Sequence, residues 1–376
     1  MRILVCPDSF KGSCSARAAA DAIGRGCRRA RPDAEITILP LADGGENTVV
    51  TLCGTGGSLE RATVHDPLMR MVEALWGRTP GGDAVVEMAA ASGLGLLTAE
   101  ERDPLRATTY GTGELLQAAL ASGATHIILG LGGSATNDCG AGMAQALGYR
   151  FTDCTGAELP RGLGGGDLTR VAGIDASRAV DLGHVHIEAA CDVTNPLCGP
   201  GGAAHVYAPQ KGADRNVVER LDAALSHFAG LVERELGFDV CDVPGAGAAG
   251  GLGAGALAFL GATLRSGIEM VLDTLRFDEL LARADIVITG EGRIDAQSAM
   301  GKVVSGVLAR TKRAGVRTIA LAGHVDDKHG LPCEAHGIVN SGISLEESHA
   351  RVEEHLCRLA ASVIGEGHGR TRTTLR

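Results

Sequence analysis

Short apolar runs alternate with helix-like segments at both ends of this chain, and this alternation limits the fold more than any other feature of the sequence. The apolar runs that predict buried strands are 2–6, 35–41, 284–290, 317–323 and 336–343. The segments that predict the intervening helices are 16–30, 300–313 and 346–364. Strands that alternate with helices pair in parallel, with both faces of the sheet covered. The two ends of the chain therefore predict one parallel five-stranded sheet.

The middle of the chain breaks this rhythm. Between about 59 and 90, short segments of mixed polar and apolar residues are separated by DPL and TPGGD turns, which is typical of an antiparallel meander. With 376 residues, the chain is longer than one hydrophobic core usually supports. We therefore expect a doubly wound α/β domain of residues 1–60 plus 276–376, interrupted by an inserted α/β domain of residues 61–275. Right-handed crossovers allow the strand order 2-1-3-4-5 in the first domain.

Composition and the N-terminal sequence exclude several classes of protein. Aromatic residues make up 3% of the chain and the formal net charge is −10, which disfavours nucleic-acid binding. No apolar run approaches the roughly 20 residues of a membrane span, and MRILVCPDSF does not have the pattern of a signal peptide. The 11 cysteines form no CxxC pair, so we expect reduced thiols in a cytoplasmic protein. Cys191 and Cys198 lack the further His or Cys partners that a zinc quartet needs.

Polar residues follow the first three predicted strands, and the carboxyl ends of the first and third meet at the switch point of the sheet. The loop after the first strand carries Asp8, Ser9, Lys11 and Ser13. Lys11 precedes a helix N-terminus and suits a phosphate or a carboxylate, although a lone lysine is more commonly solvated. Glu291, Arg293 and Asp295 alternate after the third strand, where Arg293 can bind a carboxylate or pair with Glu291. Asp43, after the second strand, suits a metal site or a helix cap.

A glycine-rich loop with polar residues follows a predicted strand in the middle of the chain, in ILGLGGSATNDCGAG (128–142). Its candidate binding residues are Gly132, Gly133, Ser134, Thr136, Asn137 and Asp138. Small residues at this point suit either a phosphate cradle or a tight turn, and the local sequence leaves both open. A second dense stretch, 190–213, contains Asp192 at the end of a strand, where a carboxylate can act as a general base, and Lys211 at the start of a helix.

Five stretches together resemble the glycerate kinase type-1 family of bacteria. They are DSFKGS, PLADGGEN, GLGGSATNDCGAGM, ACDVTNPLCGPGGAAHVYAPQKGA and DIVITGEGRIDAQSAMGK, and the resemblance extends from Met1 to about Ala360. It implies ATP-dependent phosphorylation of D-glycerate with Mg²⁺, usually to 2-phosphoglycerate. It also implies a flavodoxin-like domain interrupted by a second α/β domain with a mixed sheet, of restriction-endonuclease-like type.

The resemblance turns the candidate residues into a mechanistic hypothesis, with the active site in the cleft between the two domains. The expected catalytic residues are Asp192, as the base or the hydroxyl-orienting group, with Lys11, Arg293 and Asp295. The expected nucleotide-binding residues are Gly132, Gly133, Ser134, Thr136, Asn137 and Lys211. The expected metal-binding residues are Asp43, Glu291 and Asp138. Lys11 and Lys211 would neutralise phosphate charge and Arg293 would bind the glycerate carboxylate.

Three alternatives stay open from the sequence. Related kinases form the 3-phosphate of glycerate, and nothing in the residues selects the carbon. A nicotinamide-dependent hydroxy-acid reductase would share the α/β crevice, but it needs a GxGxxG turn that PDSFKGS does not supply. A non-catalytic two-lobed binder of small anions would not need so many acids and lysines in separate loops. The oligomeric state is also open, a homodimer included.

Overall fold

The protein folds as two compact units, seen in a computed structural model that describes residues 1–54, 56–295, 303–326 and 329–366. Unit 1 comprises Met1–Asp43 and Ile268–Arg376, and unit 2 comprises Gly44–Gly267. Residues 300–302 of the predicted helix 300–313, and the AQSAMGK end of the fifth motif, lie outside the described residues. Within the described ranges, every helix is too short or too polar to cross a bilayer.

The helices and strands follow the chain in three segments. The first segment of unit 1 contains β1 (Arg2–Val5), α1 (Ala16–Ala30) and β2 (Glu35–Ile38). Unit 2 contains α2 (Thr48–Cys53), β3 (Ser58–His65), β4 (Met71–Arg78), β5 (Ala84–Glu87), α3 (Ala89–Ser92), α4 (Tyr110–Ala121), β6 (His126–Gly130), α5 (Ala141–Ala146), β7 (Arg150–Thr152), β8 (Gly173–Asp175), β9 (His186–Ala190), α6 (Ala203–Tyr207), α7 (Arg215–Leu236), α8 (Ala248–Leu260) and β10 (Thr263–Arg265). The chain returns to unit 1 with α9 (Gly267–Thr274), α10 (Phe277–Leu281), β11 (Ile286–Ile294), α11 (Val303–Ala314), β12 (Arg317–Val325), β13 (Glu334–Gly337), α12 (Leu345–Ala350) and α13 (Val352–Glu366).

The sheet of unit 1 has five strands in the order β2-β1-β11-β12-β13, and all its pairs are parallel. Counted along the chain, this is the order 2-1-3-4-5, so the predicted doubly wound, flavodoxin-like sheet is confirmed. The central pair joins the two segments of unit 1, with Ile3 opposite Ile286 and Val5 opposite Ile288. The pairing continues past β1, where the Asp8 N–H donates to the Gly290 carbonyl at 2.8 Å.

Both faces of this sheet are packed, as the alternation of helices requires. On one face, Ile288 and Leu321 pack with apolar residues of α1 and α13. On the other face, Ala320 packs with Val304 and Leu308 of α11. Ala320 and Leu321 are neighbours on β12, and successive side chains of a strand point to opposite faces. The continuous apolar sequence of the strand therefore serves two cores.

Helices α1 and α13 cross closely on the first face. Helix α1 begins at the predicted place, because the Ser15 hydroxyl accepts a hydrogen bond from the Ala18 N–H at 3.2 Å. Gly26 lies at the crossing, where an added Cβ would be 2.2 Å from the Cys357 carbonyl oxygen. A residue without a side chain is therefore needed at this position for the two helices to pack at this distance.

Unit 2 contains a mixed six-stranded sheet in the order β3-β4-β5-β6-β9-β10. The first three strands are antiparallel, and β5, β6, β9 and β10 pair in parallel. The predicted antiparallel meander and the predicted mixed sheet are both confirmed. The carboxyl ends of β6 and β9 carry the two loops that the sequence marked as candidates for binding and catalysis.

The borders of the compact units differ from the sequence-based limits. The sequence-based domains are 1–60 plus 276–376 and 61–275. Both of their borders lie later in the chain than those of the compact units, which fall after Asp43 and after Gly267. Helix α2 belongs to unit 2 because the carboxylate of Glu87, on β5, accepts a hydrogen bond from the Val49 N–H at 2.7 Å. Helix α9 belongs to unit 1, where the guanidinium of Arg310 on α11 donates to Glu269 at 3.0 Å.

Two predicted elements of unit 1 were wrong in detail. The fifth strand ends at Gly337 instead of continuing to 343, and a helical turn follows over Val339–Ser341. The side chain of Asn340 exchanges two 3.0 Å hydrogen bonds with the backbone of Val325, which holds this turn against the end of β12. The single helix predicted over 346–364 is divided into α12 and α13, because the backbone leaves the helical conformation at Arg351.

We expect Gly26→Ala to destabilise unit 1. The added methyl would contact the Cys357 carbonyl at 2.2 Å. Helices α1 and α13 must then separate, which we expect to cost about 1–3 kcal/mol of unfolding free energy. Differential scanning calorimetry measures the resulting fall in the melting temperature.

Gly230→Ala is the matched control. Gly230 is an exposed residue of α7, and nothing lies within 4 Å of an added Cβ. Alanine there should stabilise its helix by about 0.5–1 kcal/mol through helix propensity. A Gly26→Ala protein with the melting temperature of the wild type would contradict the close crossing of α1 and α13.

Candidate functional site

A cavity of about 610 Å³ opens in unit 1 at the carboxyl ends of β1 and β11. Its acidic lining residues are Asp8, Asp43 and Glu291, and its basic lining residues are Lys11, Arg293, His324 and His349. Its apolar lining residues are Phe10, Val339, Leu345 and Val352. The connections of β1 and β11 leave the sheet in opposite directions at this point, and ligand crevices of open α/β sheets form there.

Asp8 carries the most informative carboxyl group of this cavity. Burial raises the pKa of Asp8 to about 7, although the Ser9 N–H donates to its Oδ1 at 2.6 Å and opposes that rise. The negative charges of Asp43 and Glu291 raise the pKa further, and the ammonium of Lys11 lowers it. A carboxylate with a pKa near 7 can accept a proton at neutral pH. The cavity therefore contains a group suited to general-base chemistry.

The carboxylates of the cavity form a donor set that suits Mg²⁺. This ion prefers oxygen ligands and is usually held by one or two carboxylates, with waters and substrate phosphates completing its shell. Asp43 is half-buried and Glu291 is 7% exposed, and the charges of both act on Asp8. Glu291 also lies on β11, opposite Ala322 of β12, so its backbone is fixed. Unit 1 thus brings together two of the three residues that the sequence predicted as metal ligands.

Arg293 lies at the cavity within a network of charged side chains. Its guanidinium donates two hydrogen bonds to Asp326, at 3.1 and 2.9 Å, and its Nε is 3.5 Å from a carboxylate oxygen of Asp295. His324, opposite Arg293 in the sheet register, has its Nε2 2.9 Å from Asp326. The hydrogen bond from Arg293 lowers the pKa of Asp326. Two acids therefore orient the arginine that the sequence predicted as a carboxylate ligand.

The glycine-rich loop after β6 of unit 2 is mostly buried. Gly132 and Gly133 are exposed, whereas Ser134 is 8% exposed and both Thr136 and Asn137 are fully buried. The Ala135 N–H donates to the Ser92 carbonyl at 2.9 Å, so it is already used within the protein. A phosphate cradle formed by all the N–H groups of 132–136 therefore does not match the loop as it stands. Its solvent-facing part is the pair of glycines.

The buried side chain of Lys211 holds this loop in place through hydrogen bonds. Its side chain is 1% exposed, and its Nζ donates to the Ser134 hydroxyl at 2.7 Å and to the Thr136 carbonyl at 2.6 Å. Burial lowers the pKa of Lys211 to about 7, and the charge of Asp138 opposes that fall. The lysine that the sequence assigned to the nucleotide thus holds the shape of the loop.

Asp138 is fully buried and caps the loop and the following helix. Its Oδ2 accepts from the N–H of Thr109 at 2.8 Å, from the hydroxyl of Thr109 at 2.7 Å and from the Gly142 N–H at 3.2 Å. Its Oδ1 accepts from the Gly140 N–H at 3.3 Å. Burial raises the pKa of Asp138, and these donors oppose that rise. The residue predicted as a metal ligand is therefore surrounded by protein donors.

Two buried residues of the loop carry polar atoms that have no partner among the described residues. Nothing in the described part of the chain donates to or accepts from the amide group of Asn137 or the hydroxyl of Thr136. Gly250, with a φ of +69°, packs on this segment so closely that a Cβ would lie 2.0 Å from the Thr136 carbonyl. Buried polar atoms without a partner indicate a bound water or a ligand group. Asn137 is therefore the loop residue whose chemistry most suggests a ligand.

Asp192 follows β9, so it lies at the same end of the unit 2 sheet as the glycine-rich loop that follows β6. Its side chain is exposed, and its Oδ1 accepts from the Ser266 hydroxyl at 3.0 Å and from the Gly267 N–H at 2.9 Å. These donors come from the chain after β10, the neighbouring strand. The carboxylate is thereby held in a fixed orientation, which suits the positioning of a ligand group.

Sequence reasoning assigned no role to three residues of the unit 1 network. Asp8 appeared only as one polar residue of its loop, and neither His324 nor Asp326 was singled out as a site residue. The available signal was position: Asp326 directly follows β12, and Asp8 lies three residues after the end of β1, both parallel strands. The high pKa of Asp8 gave no such signal, because it depends on burial and on charges from distant parts of the chain.

Comparison with known proteins identifies similar chains over nearly the whole length. Residues 3–366 match the model of the glycerate kinase family. The chain is 47% identical to the glycerate 2-kinase of Escherichia coli K12, covering 96% of this chain and 97% of that protein. It is 46% identical to a glycerate kinase of Bacillus subtilis 168, with the same coverage. A crystal structure assigned to glycerate kinase 2 of Salmonella typhimurium LT2 has a TM-score of 0.87 at 46% identity, covering 97% of both chains.

Lys211→Met tests the buried anchor through the pH dependence of stability. The pKa of Lys211 is about 7 in the folded protein and near 10.5 when the chain is unfolded. Between these values the unfolded state binds more protons, so this lysine makes the free energy of unfolding rise with pH. In urea titrations, we expect the free energy of unfolding of the wild type to rise relative to that of Lys211→Met as the pH increases from 7 to 9.

Lys312→Met, at an exposed lysine of α11, is the control. The free energy of unfolding of this control variant should change with pH in the same way as that of the wild type over the same range. If the unfolding free energy of Lys211→Met also changes with pH as that of the wild type does, Lys211 is not buried in the way its contacts indicate.

Proposed function

The chain belongs to the glycerate kinase family, and from that premise we propose that it transfers the γ-phosphoryl group of ATP to the 2-hydroxyl of D-glycerate. The observation that carries the proposal is the unit 1 cavity, in which three carboxylates and two cationic side chains surround one space. Phosphoryl transfer depends mainly on positioning and on neutralising phosphate charge, and such a constellation supplies both. The relative named glycerate 2-kinase supports transfer to carbon 2.

We propose that Asp8 accepts the proton of the reacting hydroxyl. As the glycerate oxygen bonds to the γ-phosphorus, the bond from phosphorus to the ADP oxygen breaks and the hydroxyl proton passes to the Asp8 carboxylate. Its raised pKa, near 7, supports this role because the carboxylate is then basic enough to take the proton. Asp192, the base expected from the sequence, is the alternative. Its fixed, exposed carboxylate better suits orientation of a ligand.

Asp43 and Glu291 are the residues proposed to hold Mg²⁺. When bound, the ion neutralises charge on the transferring phosphate and helps to orient it. Asp138 is not proposed as a ligand, because four protein donors already occupy its carboxylate. Lys11, an exposed lysine at the cavity, is proposed to bind a phosphate oxygen.

Arg293 is proposed to bind the carboxylate of glycerate. A guanidinium binds a carboxylate through two parallel hydrogen bonds, and Arg293 already binds Asp326 through two hydrogen bonds from its NH2 group. We propose that glycerate shares or replaces this partner. Asp295, with an oxygen 3.5 Å from the Arg293 Nε, is proposed to hold the side chain in place.

Unit 2 is proposed to bind phosphate oxygens of the nucleotide through its glycine-rich loop. The exposed backbone of Gly132 and Gly133 supports this assignment, as does the amide of Asn137, which has no partner in the part of the chain that the structure describes. Ser134 and Thr136 contribute by their bonds to Lys211, which keeps the loop in shape. The nucleotide-binding role of Lys211 is thus proposed to be indirect.

The product of the reaction tests the proposed function and the position of transfer. Proton-coupled phosphorus NMR of D-glycerate, ATP, Mg²⁺ and enzyme should show a product doublet, since the phosphorus of 2-phosphoglycerate couples to one neighbouring proton. A triplet would assign the reaction to carbon 3. The absence of a phosphate ester, or a change in nicotinamide absorbance with glycerate, would reject the kinase proposal.

Asp8→Asn is expected to lower kcat/KM by at least about 100-fold, the usual contribution of a general base. In the wild type, kcat/KM should rise with pH and level off above about 7, because only the ionised carboxylate accepts a proton. Asp8→Asn should lack this rise. Coupled measurement of ADP release across pH 5.5–9, with circular dichroism to confirm folding, provides the profile.

Asp192→Asn is the matched control for the base. The amide keeps an oxygen that can accept from Ser266 and Gly267, so we expect a profile with the same rise near pH 7. If the rise disappears in Asp192→Asn and persists in Asp8→Asn, the proton acceptor is Asp192.

A further inference from the structure

Three potential metal ligands meet at the amino-terminal edge of the unit 2 sheet. His126 begins β6 and His186 begins β9, and the two residues are opposite each other in the parallel register. Their rings stack with centroids 5.1 Å apart and planes inclined by 19°. Glu188 lies two residues beyond His186, and thus on the same face of the sheet. One ligand atom from each of the three residues lies within 4.8 Å of the other two.

The spacing of these atoms is close to that of a tetrahedral site. The Nε2 of His126 is 3.0 Å from one oxygen of Glu188, and the Nε2 of His186 is 3.9 Å from the other. Zinc bonds to nitrogen and oxygen of about 2.0–2.1 Å place tetrahedral ligand atoms roughly 3.3 Å apart. Small side-chain movements would therefore bring all three atoms to one ion.

The surroundings fix the orientation of two of these side chains. The Nδ1 of His126 is 3.1 Å from a carboxylate oxygen of Asp83, the residue before β5. Histidines that bind metals commonly donate their other ring N–H to a carboxylate in this way. The guanidinium of Arg265, on β10, donates to Glu188 at 2.6 Å and holds its carboxylate. Side chains of β6, β9 and β10 and of the residue before β5 thus form one arrangement that the proposed kinase chemistry does not use.

We propose that His126, His186 and Glu188 bind one divalent transition-metal ion of the zinc class, with water in the fourth position. Two imidazoles and one carboxylate are a ligand set typical of zinc with an open position. The side chain of His186 is 63% exposed, so the ion can enter from solvent. Such an ion would join β6 and β9 at their first residues and stabilise this edge of the sheet.

The experiment is a zinc titration of protein first treated with EDTA and desalted, in competition with a chromophoric chelator. The wild type should bind one Zn²⁺ per chain at this site and gain thermal stability on binding. His186→Ala should weaken binding at least about tenfold without affecting the fold, because His186 is exposed. Asp83→Asn should weaken it by about 10–100-fold, the usual effect of losing the carboxylate behind a histidine ligand. His184→Ala, at a nearby exposed histidine, should bind like the wild type.

Cobalt distinguishes this site from the cysteines. The Co²⁺ spectrum of the wild type should show only d–d bands, whereas a thiolate charge-transfer band would place the ion on a cysteine and overturn the proposal. Absence of Zn²⁺ binding by the wild type, or equal binding by His186→Ala, would also overturn it. None of these measurements uses glycerate or ATP, so their outcome is independent of the proposed kinase function.

Discussion

The parallel pairing of β1 with β11 is the interaction on which unit 1 and its cavity depend. These strands belong to opposite ends of the chain, yet their backbones pair from Ile3 with Ile286 onward. The pairing continues through the Asp8 N–H to the carbonyl of Gly290, which sets Asp8 beside the part of β11 that carries Glu291. Loop-closure entropy rises only slowly with loop length, so an entire folded unit can be inserted between two paired strands. The interrupted domain follows from this tolerance.

Unit 2 shows how a motif that suggests ligand binding can serve its own fold. A buried polar atom must find a partner, and the loop after β6 meets that requirement internally. Lys211 bonds Ser134 and the backbone of Thr136, while Asp138 accepts from Thr109 and the following helix. Most of the polar residues that suggested phosphate binding thus hold the loop in shape. Gly132 and Gly133 stay exposed, and the buried amide of Asn137 has no partner among the residues that the structure describes.

The architecture of unit 1 could be predicted because it depends on local patterns. Apolar runs of strand length alternate with amphipathic segments, and the handedness of crossovers then restricts the strand order. Two departures from the predicted organisation lie where a contact outside the local pattern decides the structure. Asn340 bonds the backbone of Val325 and ends β13 early, and Glu87 caps α2 and draws it into unit 2. The partners are 15 and 38 residues apart in the chain, and the apolar pattern of each element does not reveal the contact.

The sequence by itself determined the α/β class, the parallel sheet, the interruption, the family, and the loops in which polar chemistry would lie, and it allowed the observed strand order. Only the tertiary structure decided which of those residues face one another and how they ionise. The pKa of Asp8 is raised because burial and the charges of Asp43 and Glu291 act on its carboxyl group together. His126 and His186 become neighbours through strand register alone. Periodicity is a property of adjacent residues, whereas burial, proximity and electrostatic potential arise from residues that folding brings together.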